Sequence, residues 1–400
     1  MRLILFVFVI TLFLLLIASG HYYVWVRLVR DVAWPRPVHR ALTLLIVVLF
    51  LSIPATFVLS RTLPPARGQW LLLTLYVWMG LALGLPLLLG VADLIRTIVV
   101  RAMAAFGDVT FDPERRQTIQ RLLAGTVGLW ATGATTSAVY QGLRPVTVKD
   151  VEVTLARLPS ALGGFVIAQL TDMHIGPTLR SQFVQEIVER TNALNPDLIA
   201  ITGDLVDGSV DQLRELVAPL GQLRAKYGVF FVTGNHEYYS GVDEWIPELK
   251  RLNIRVLRNE RVTIGEDQAR FDLVGINDEH ATRASYGGAP DLDSPMRGRD
   301  PTREVVLLAH QPKSVFRAMK HDVGLQLSGH THGGQVWPFG WLVLLQQPVV
   351  AGLAQFGRTT VYVSCGTGYW GPPMRIGAPA EITRVVLRAP SSDAAAARAT

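Results

Sequence analysis

One cysteine, Cys365, stands in 400 residues, so an intrachain disulfide is excluded and any folded domain must rest on its own core. The second half of the chain also lacks a run of basic residues. The whole sequence carries a formal net charge of +6, but the excess is confined: residues 1–149 hold 14 Lys and Arg against 5 Asp and Glu, and residues 150–400 hold 24 against 27. The high pI belongs to the first part, and the mildly acidic remainder shows no nucleic-acid footprint. No internal repeat is present.

What the first part has is apolar length. Uncharged runs cover about residues 3–20, 41–59, 70–92 and 122–140, each close to the roughly 20 residues a helix needs to cross a bilayer. A four-helix transmembrane region over 1–145 is predicted. The first run has a second reading, a cleaved signal peptide, but no small-residue cleavage site comes after it and three more runs do, which favours an anchor. The loop after run one carries Arg27, Arg30, Arg36 and Arg40, and the loop after run three carries Arg96, Arg101, Arg115, Arg116 and Arg121. The intervening loop has only Arg61 and Arg67. Positive loops stay in the cytoplasm, so both termini and the second half are expected on the extracytoplasmic face of the cell (inner) membrane. Arg115-Arg116 also fits an internal twin-arginine export signal, although arginines beside a span are commonly plain topology determinants. No ionisable residue falls mid-span, with Asp93 at an edge, so the spans offer little to transport.

In the second half, apolar runs at 165–170, 198–202, 229–232, 305–309, 324–327 and 360–363 read as strands. Helical patterns at 179–194, 212–223, 242–252 and 312–319 lie between them, the second with Leu213, Leu216, Val217 and Leu220 on one side. Alternation of this kind argues for an α/β layered domain over 150–388. Residues 278–301, rich in Gly, Pro and charge, are expected to form a loop, and the Ala-rich tail 389–400 to be disordered.

Five short pieces carry the chemistry: Asp172-Met173-His174, Gly203-Asp204, Gly234-Asn235-His236-Glu237, His310, and Gly329-His330-Thr331-His332. Five of the nine histidines fall inside them, and each piece comes after an apolar, strand-like run. Oxygen and nitrogen donors in this order read as a two-metal phosphoesterase site. Two divalent ions about 3.5–4 Å apart can hold a phosphate, acidify a water between them, and stabilise attacking and leaving oxygens. Asp204, after Gly203 at a strand end, is the best carboxylate for both ions to share. Asp172 and His174, spaced i and i+2, can point to one side, and His330 and His332 repeat that spacing. Taken singly, His310 reads as a core histidine, Thr202-Gly203-Asp204 as turn chemistry, and Asn235 as a helix cap. Those readings do not explain the joint order. His21, His39, His280 and His321 belong to no piece, and His280 could at most approach as part of a lid.

The ordered set resembles the calcineurin-like metallophosphoesterase superfamily, and Gly-His-Thr-His-Gly-Gly-Gln at 329–335 is similar to its membrane-associated bacterial phosphodiesterase branch. The resemblance covers about residues 160–388. It implies a four-layer αββα sandwich of two mixed sheets flanked by helices, with metals at the strand ends. It also implies Asp172, His174 and His332 on a first metal, Asn235, His310 and His330 on a second, and Asp204 bridging. His236 is then a general acid or transition-state stabiliser rather than a ligand, oriented by a carboxylate for which Glu237 is the local candidate. Many members have Asp at the Glu237 position.

Imidazole, carboxylate and amide donors suit Mn, Fe, Zn or Co, with Mg also possible, and the absence of Cys ligands argues against a structural zinc. The bacterial resemblance favours manganese. A domain tethered after a membrane span works beside lipid head groups, which makes a lipid or nucleotide-lipid phosphoester a candidate substrate. The apolar run Val336 to Leu345 either packs in the core or lies at the cleft mouth against acyl chains, and Trp370 has the same two readings. The expected function is a membrane-anchored hydrolase of phosphate mono- or diesters. Two alternatives are a UDP-2,3-diacylglucosamine-type pyrophosphatase, whose substrate is made on the cytoplasmic side, and a non-catalytic phosphoester-binding sensor, which would not need His236. No nucleic-acid partner is expected, and no protein partner can be inferred.

Overall fold

The structure is a computed structural model that describes residues 2–63, 65–106, 113–179, 181–282 and 288–390. The tail expected to be disordered lies, beyond residue 390, outside the described residues. The chain divides into two compact units, one built mainly from residues up to 140 and the other mainly from those beyond.

The first unit is all helix: α1 Arg2–Trp25, α2 Arg36–Thr62, α3 Pro65–Phe106 and α4 Pro113–Leu143. Among the described residues, three stretches, Ile10–Arg30, Arg36–Thr62 and Gly68–Phe106, are long and apolar enough to cross a membrane, by length and composition. Helix α4 is not among them, because Gly, Thr and Ser dilute its apolar face. Val24, Leu85, Leu89, Val127 and Ala131 form this unit's small core. Asp93, expected at a span edge, is not alone: it accepts the Tyr23 hydroxyl at 2.6 Å and pairs with Arg27, which also donates to Asp31 at 2.7 Å. Pairing of this kind lowers the cost of charge inside a helix bundle.

The second unit contains two mixed six-stranded sheets. Strands β1 Thr147–Thr154, β2 Val166–Leu170, β3 Leu198–Ile201, β4 Val229–Phe231, β5 Ile254–Val256 and β12 Glu381–Arg388 make one, in the order β1-β12-β2-β3-β4-β5. The other is ordered β10-β11-β9-β8-β7-β6, from β6 Glu260–Glu266, β7 Ala269–Gly275, β8 Val305–Leu308, β9 Leu325–Ser328, β10 Gly352–Phe356 and β11 Thr359–Val363. Strands β2 to β5 run parallel, as do β7, β8, β9 and β11.

Sequence parity decides which core each side chain enters. In β3, Leu198 and Ala200 join a cluster with Leu273, Val306, Leu308 and Leu327 of the other sheet, while Ile199 and Ile201 face helices. Both faces being buried, the strand reads as an unbroken apolar run. The helices on the first sheet are α5 Ser181–Ala193, α6 Val210–Val217, α7 Asn235–Ser240 and α8 Val242–Arg251. Helix α5 buries Val184, Ile187 and Val188 at helical spacing, and α6 starts on Ser209 with Gln212 reaching back to its amide. On the second sheet sit α9 Asp293–Met296 and α10 Val315–Ala318, while α11 Gly340–Val343 buries no residue and lies against the His332–Gly334 turn.

Candidate metal centre

Each piece of the expected site falls at the carboxyl end of a parallel strand. Asp172 and His174 come after β2, Asp204 after β3, and Asn235 and His236 open α7 after β4, in one sheet. His310 comes after β8, and His330 and His332 after β9, in the other. Fully buried Gln169 ties the two edges together, donating from Nε2 to Thr202 Oγ1 at 2.9 Å and to the Ser328 carbonyl at 3.0 Å.

The turns that carry these side chains are tightly drawn. Asp172, His174, Asp204, His330 and His332 have φ of 52°, 47°, 51°, 72° and 50°, a left-handed conformation that side-chain-bearing residues rarely adopt. Such backbone persists where surrounding bonds over-determine it, and it clusters at functional sites. Here the amides of Asp172, His174 and Ile175 donate to the carbonyls of Gly203, Asp204 and Leu205 at 3.0, 3.1 and 2.8 Å. Gly203 (φ 94°) must be glycine, since a Cβ there would lie 2.6 Å from the Gly234 amide and 2.7 Å from His310 Nδ1.

Three donor clusters result among the described residues, one of them His174, Asp207 and His236. Asp172, His174 and His332 bring one donor atom each within 4.8 Å of one another, and Asp204, His310 and His330 do the same. Asp204 lies between them, its Oδ2 3.1 Å from His310 Nε2 and 3.9 Å from His174 Nε2. Asn235 is buried beside them, and its Oδ1 has no hydrogen-bond partner.

Proton positions suit cations. His174 gives its Nδ1 to Asp207 and His310 gives its Nδ1 to the Thr202 carbonyl, which leaves both Nε2 atoms turned into the site. His174 Nε2 lies 3.0 Å from His332 Nε2, and His310 Nε2 lies 3.1 Å from Asp204 Oδ2. The His310–Asp204 contact needs a proton or a metal between its two atoms, and with the orphaned Asn235 oxygen the donor set fits divalent ions. Without metal, protons take the places. Burial opposes charge on His174, but Asp207, Asp204 and Asp172 outweigh it and raise the ring to about 9. Burial likewise opposes charge on His310, and Asp204 with Asp172 raises it well above the usual range. Burial and the neighbouring His310 push His330 down to about 3. Metal uptake must therefore displace protons, and apparent affinity should climb with pH from about 6.5 toward 9, roughly tenfold per unit for each proton released. Titration calorimetry with manganese in buffers of different ionisation enthalpy would measure this, and an affinity independent of pH would refute it.

The carboxylate on His236 is Asp207, which sequence reasoning missed. Its Oδ1 accepts from His236 Nδ1 at 2.5 Å and from His174 Nδ1 at 3.1 Å. Burial opposes its ionisation, yet His174 and His236 hold it well below the usual carboxylate range. The available signal was a second Asp three residues after Asp204, before Gly208. The expectation that Glu237 orients His236 is corrected, for a geometric reason: adjacent residues on a helix do not face each other. Glu237 turns back beneath the turns and accepts the amides of Gly234, Leu205 and Asp204 at 2.6, 2.8 and 3.1 Å. Burial, then the nearby Asp204, lifts its pKa to about 7.

One wall of the site is the stretch 365–371, where Gly366 lies against Asp172 and His332, and it is held by Arg375. That guanidinium is fully buried and, among the described residues, pairs with no carboxylate; it donates to the carbonyls of Cys365 and Ala378 at 2.9 and 2.6 Å and to Gly368. Arg375→Met should strand these carbonyls and cost about 3 kcal/mol or more, read as a lower denaturation midpoint. A change under about 0.5 kcal/mol would show that water replaces the clamp.

Of the two readings of residues 336–345, the structure supports exposure: Trp337 and Trp341 are 70% and 69% exposed, and Trp370 is 54%. The Trp370 ring centroid lies 5.9 Å from that of His236, and Tyr239 flanks the same imidazole at 5.4 Å. His280 bonds Asp278 at 2.9 Å and reaches this aromatic group through Tyr239, at 5.8 Å.

The calcineurin-like phosphoesterase family matches residues 165–334. A Bos taurus transmembrane protein with metallophosphoesterase domain is 40% identical over 76% of this chain and 70% of its own length. The Danio rerio protein of that description is 34% identical over 93% of this chain and 87% of its own. An uncharacterized metallophosphoesterase of Campylobacter jejuni is 31% identical over 96% and 99%. The chain belongs to the calcineurin-like phosphoesterase family. It is a membrane protein and a metallophosphoesterase, a hydrolase acting on phosphoric ester bonds.

Proposed function

We propose that this protein hydrolyses phosphate mono- or diesters at the extracytoplasmic face of the cell membrane, with two divalent ions held by seven side chains. Asp172, His174 and His332 take one ion, Asn235, His310 and His330 the other, and Asp204 is shared. The observation that carries this is the position of Asp204, whose carboxylate reaches both clusters. The domain around the site is read as four layers, αββα, spanning 150–388, after a membrane region over 1–145.

Ions bound there supply a Lewis-acid hold on the phosphoryl oxygens and a more acidic water. The chain's own groups do the rest. Asp207 holds His236 Nδ1 and so turns Nε2 toward Asp204, 4.0 Å from Oδ2, where it can give a proton to the leaving oxygen. Asp207 also orients His174. Glu237 fixes the turns that present Asp204 and Asn235. Manganese is the first ion to try.

The outward orientation requires α4 to cross the membrane as well. Residues 122–140 within it carry no charge, and their small residues suit packing between helices. With arginine-rich loops inside, four crossings leave the catalytic unit outside, whereas three would leave it in the cytoplasm. Protease added to intact cells should remove the catalytic unit, and protection would reverse the orientation. Lipid-borne phosphoesters are the substrate class to test first, because the enzyme is confined to the membrane.

The test of the activity itself uses full-length protein in detergent, stripped by chelation and resupplied with Mn, Zn or Mg. Metal-restored hydrolysis of bis-p-nitrophenyl phosphate or p-nitrophenyl phosphate is expected, and their ratio reports diester against monoester preference. Folded protein that binds two ions and turns over neither ester would favour the sensor.

A further inference from the structure

The metal centre accounts for the turn that carries His330 and His332, but not for the segment on its C-terminal side. Residues 323–357 contain no Asp, Glu, Lys or Arg. From Trp341 to Gln347, backbone amides bond three or four residues back, so the run is helical beyond α11 itself. Trp341 and Leu345 then lie one turn apart on one side, and Trp337 comes just before the helix with its amide on the Ile376 carbonyl at 3.0 Å. Trp337, Trp341 and Leu345 are 70%, 69% and 80% exposed, with Leu342 and Leu344 exposed beside them.

This ridge is fixed. Gly334 backs onto Gly340 so closely that a Cβ would lie 2.5 Å from the Gly340 Cα. At the far end, Thr331 Oγ1 donates to the Val350 carbonyl at 2.6 Å. Gln335 ties in a third exposed indole, donating to the Trp370 carbonyl at 2.9 Å and accepting its amide at 3.0 Å. A rigid, charge-free, aromatic-rich ridge facing water calls for an occupant.

Its composition selects one. A protein partner's interface has a polar rim, whereas tryptophan and leucine without charge suit the layer between head groups and acyl chains. The bilayer is always at hand, because the same chain carries membrane-length helices. We propose that the ridge Trp337–Leu345 is a docking surface for the lipid bilayer in which the protein is anchored. Trp337, Trp341 and Leu345 enter the head-group layer, and Trp370 stands at its edge, so the metal centre opens onto phospholipid head groups. This rests on the chain being a membrane protein and not on its turnover.

The test uses the full chain. Cys365→Ser removes the single, buried thiol, and Leu345→Cys, or separately Leu342→Cys, then carries an environment-sensitive nitrobenzoxadiazole label. Glu266→Cys, on the distant β6–β7 hairpin, is the control. Each protein is reconstituted in phosphatidylcholine–phosphatidylglycerol vesicles at fewer than one chain per vesicle. Labels at 345 and 342 should emit to the blue and be quenched several-fold more by nitroxide lipid than by aqueous iodide, with the control reversed. Equal iodide quenching at all three positions would overturn the proposal. So would labels shielded from iodide but unquenched by nitroxide lipid, which would mean that protein covers the ridge. p-Nitrophenyl ester hydrolysis by each variant checks that labelling leaves the fold intact and does not bear on docking.

Discussion

Asp204→Asn is expected to strip the protein of divalent metal and to lower bis-p-nitrophenyl phosphate hydrolysis at least about 10³-fold. Asparagine keeps the shape, and its oxygen can still accept the His236 amide that Asp204 Oδ1 now accepts at 2.8 Å. What it loses is the negative charge that reaches His310 Nε2 on one side and His174 Nε2 on the other. Elemental analysis after gel filtration reads the metal, and a thermal melt reads the fold. A variant that folds and keeps two ions would show that Asp204 is not shared.

His236→Ala is expected to behave in the opposite way, retaining both ions while losing about 10²–10⁴-fold in kcat. The imidazole bonds Asp207 and belongs to neither the Asp172 nor the Asp204 cluster, although with His174 and Asp207 it forms a third group of donors. The loss should be greatest for alkyl esters, whose leaving oxygen needs a proton, and least for nitrophenyl esters, which depart unaided. Asp207→Asn should show the same leaving-group dependence together with weaker metal binding, because His174 depends on the same carboxylate. Equal losses across leaving groups would remove His236 from proton transfer, and an emptied metal site would make it a ligand.

The donors were legible because each comes after a short, mostly apolar strand buried on both faces. Val305–Leu308 before His310 and Leu325–Ser328 before His330 are buried throughout. Strand β1 was missed for the converse reason: Lys149, Asp150 and Glu152 interrupt it, and its partner β12 lies more than 200 residues away in register with Glu381. The β6–β7 hairpin was missed because β6 is half solvated and alternates weakly. Asp207 was overlooked because it works only after an isolated bridge between Ile175 and Val206 brings its turn beside His174. Glu237 was given the wrong task because proximity in sequence is not proximity on a helix. The exposure of Trp337 and Trp341 was illegible, since an apolar run has the same composition in a core or at a bilayer.

The left-handed backbone at five donor positions makes the centre a place where foldedness and chemistry compete. Each such residue carries about 1–2 kcal/mol of steric cost that glycine would not. His330→Gly, useless for catalysis, should therefore raise the melting temperature of the metal-free protein. The five donors hold a conformation that glycine would take at lower cost, and the bonds across the neighbouring turns are what sustain it.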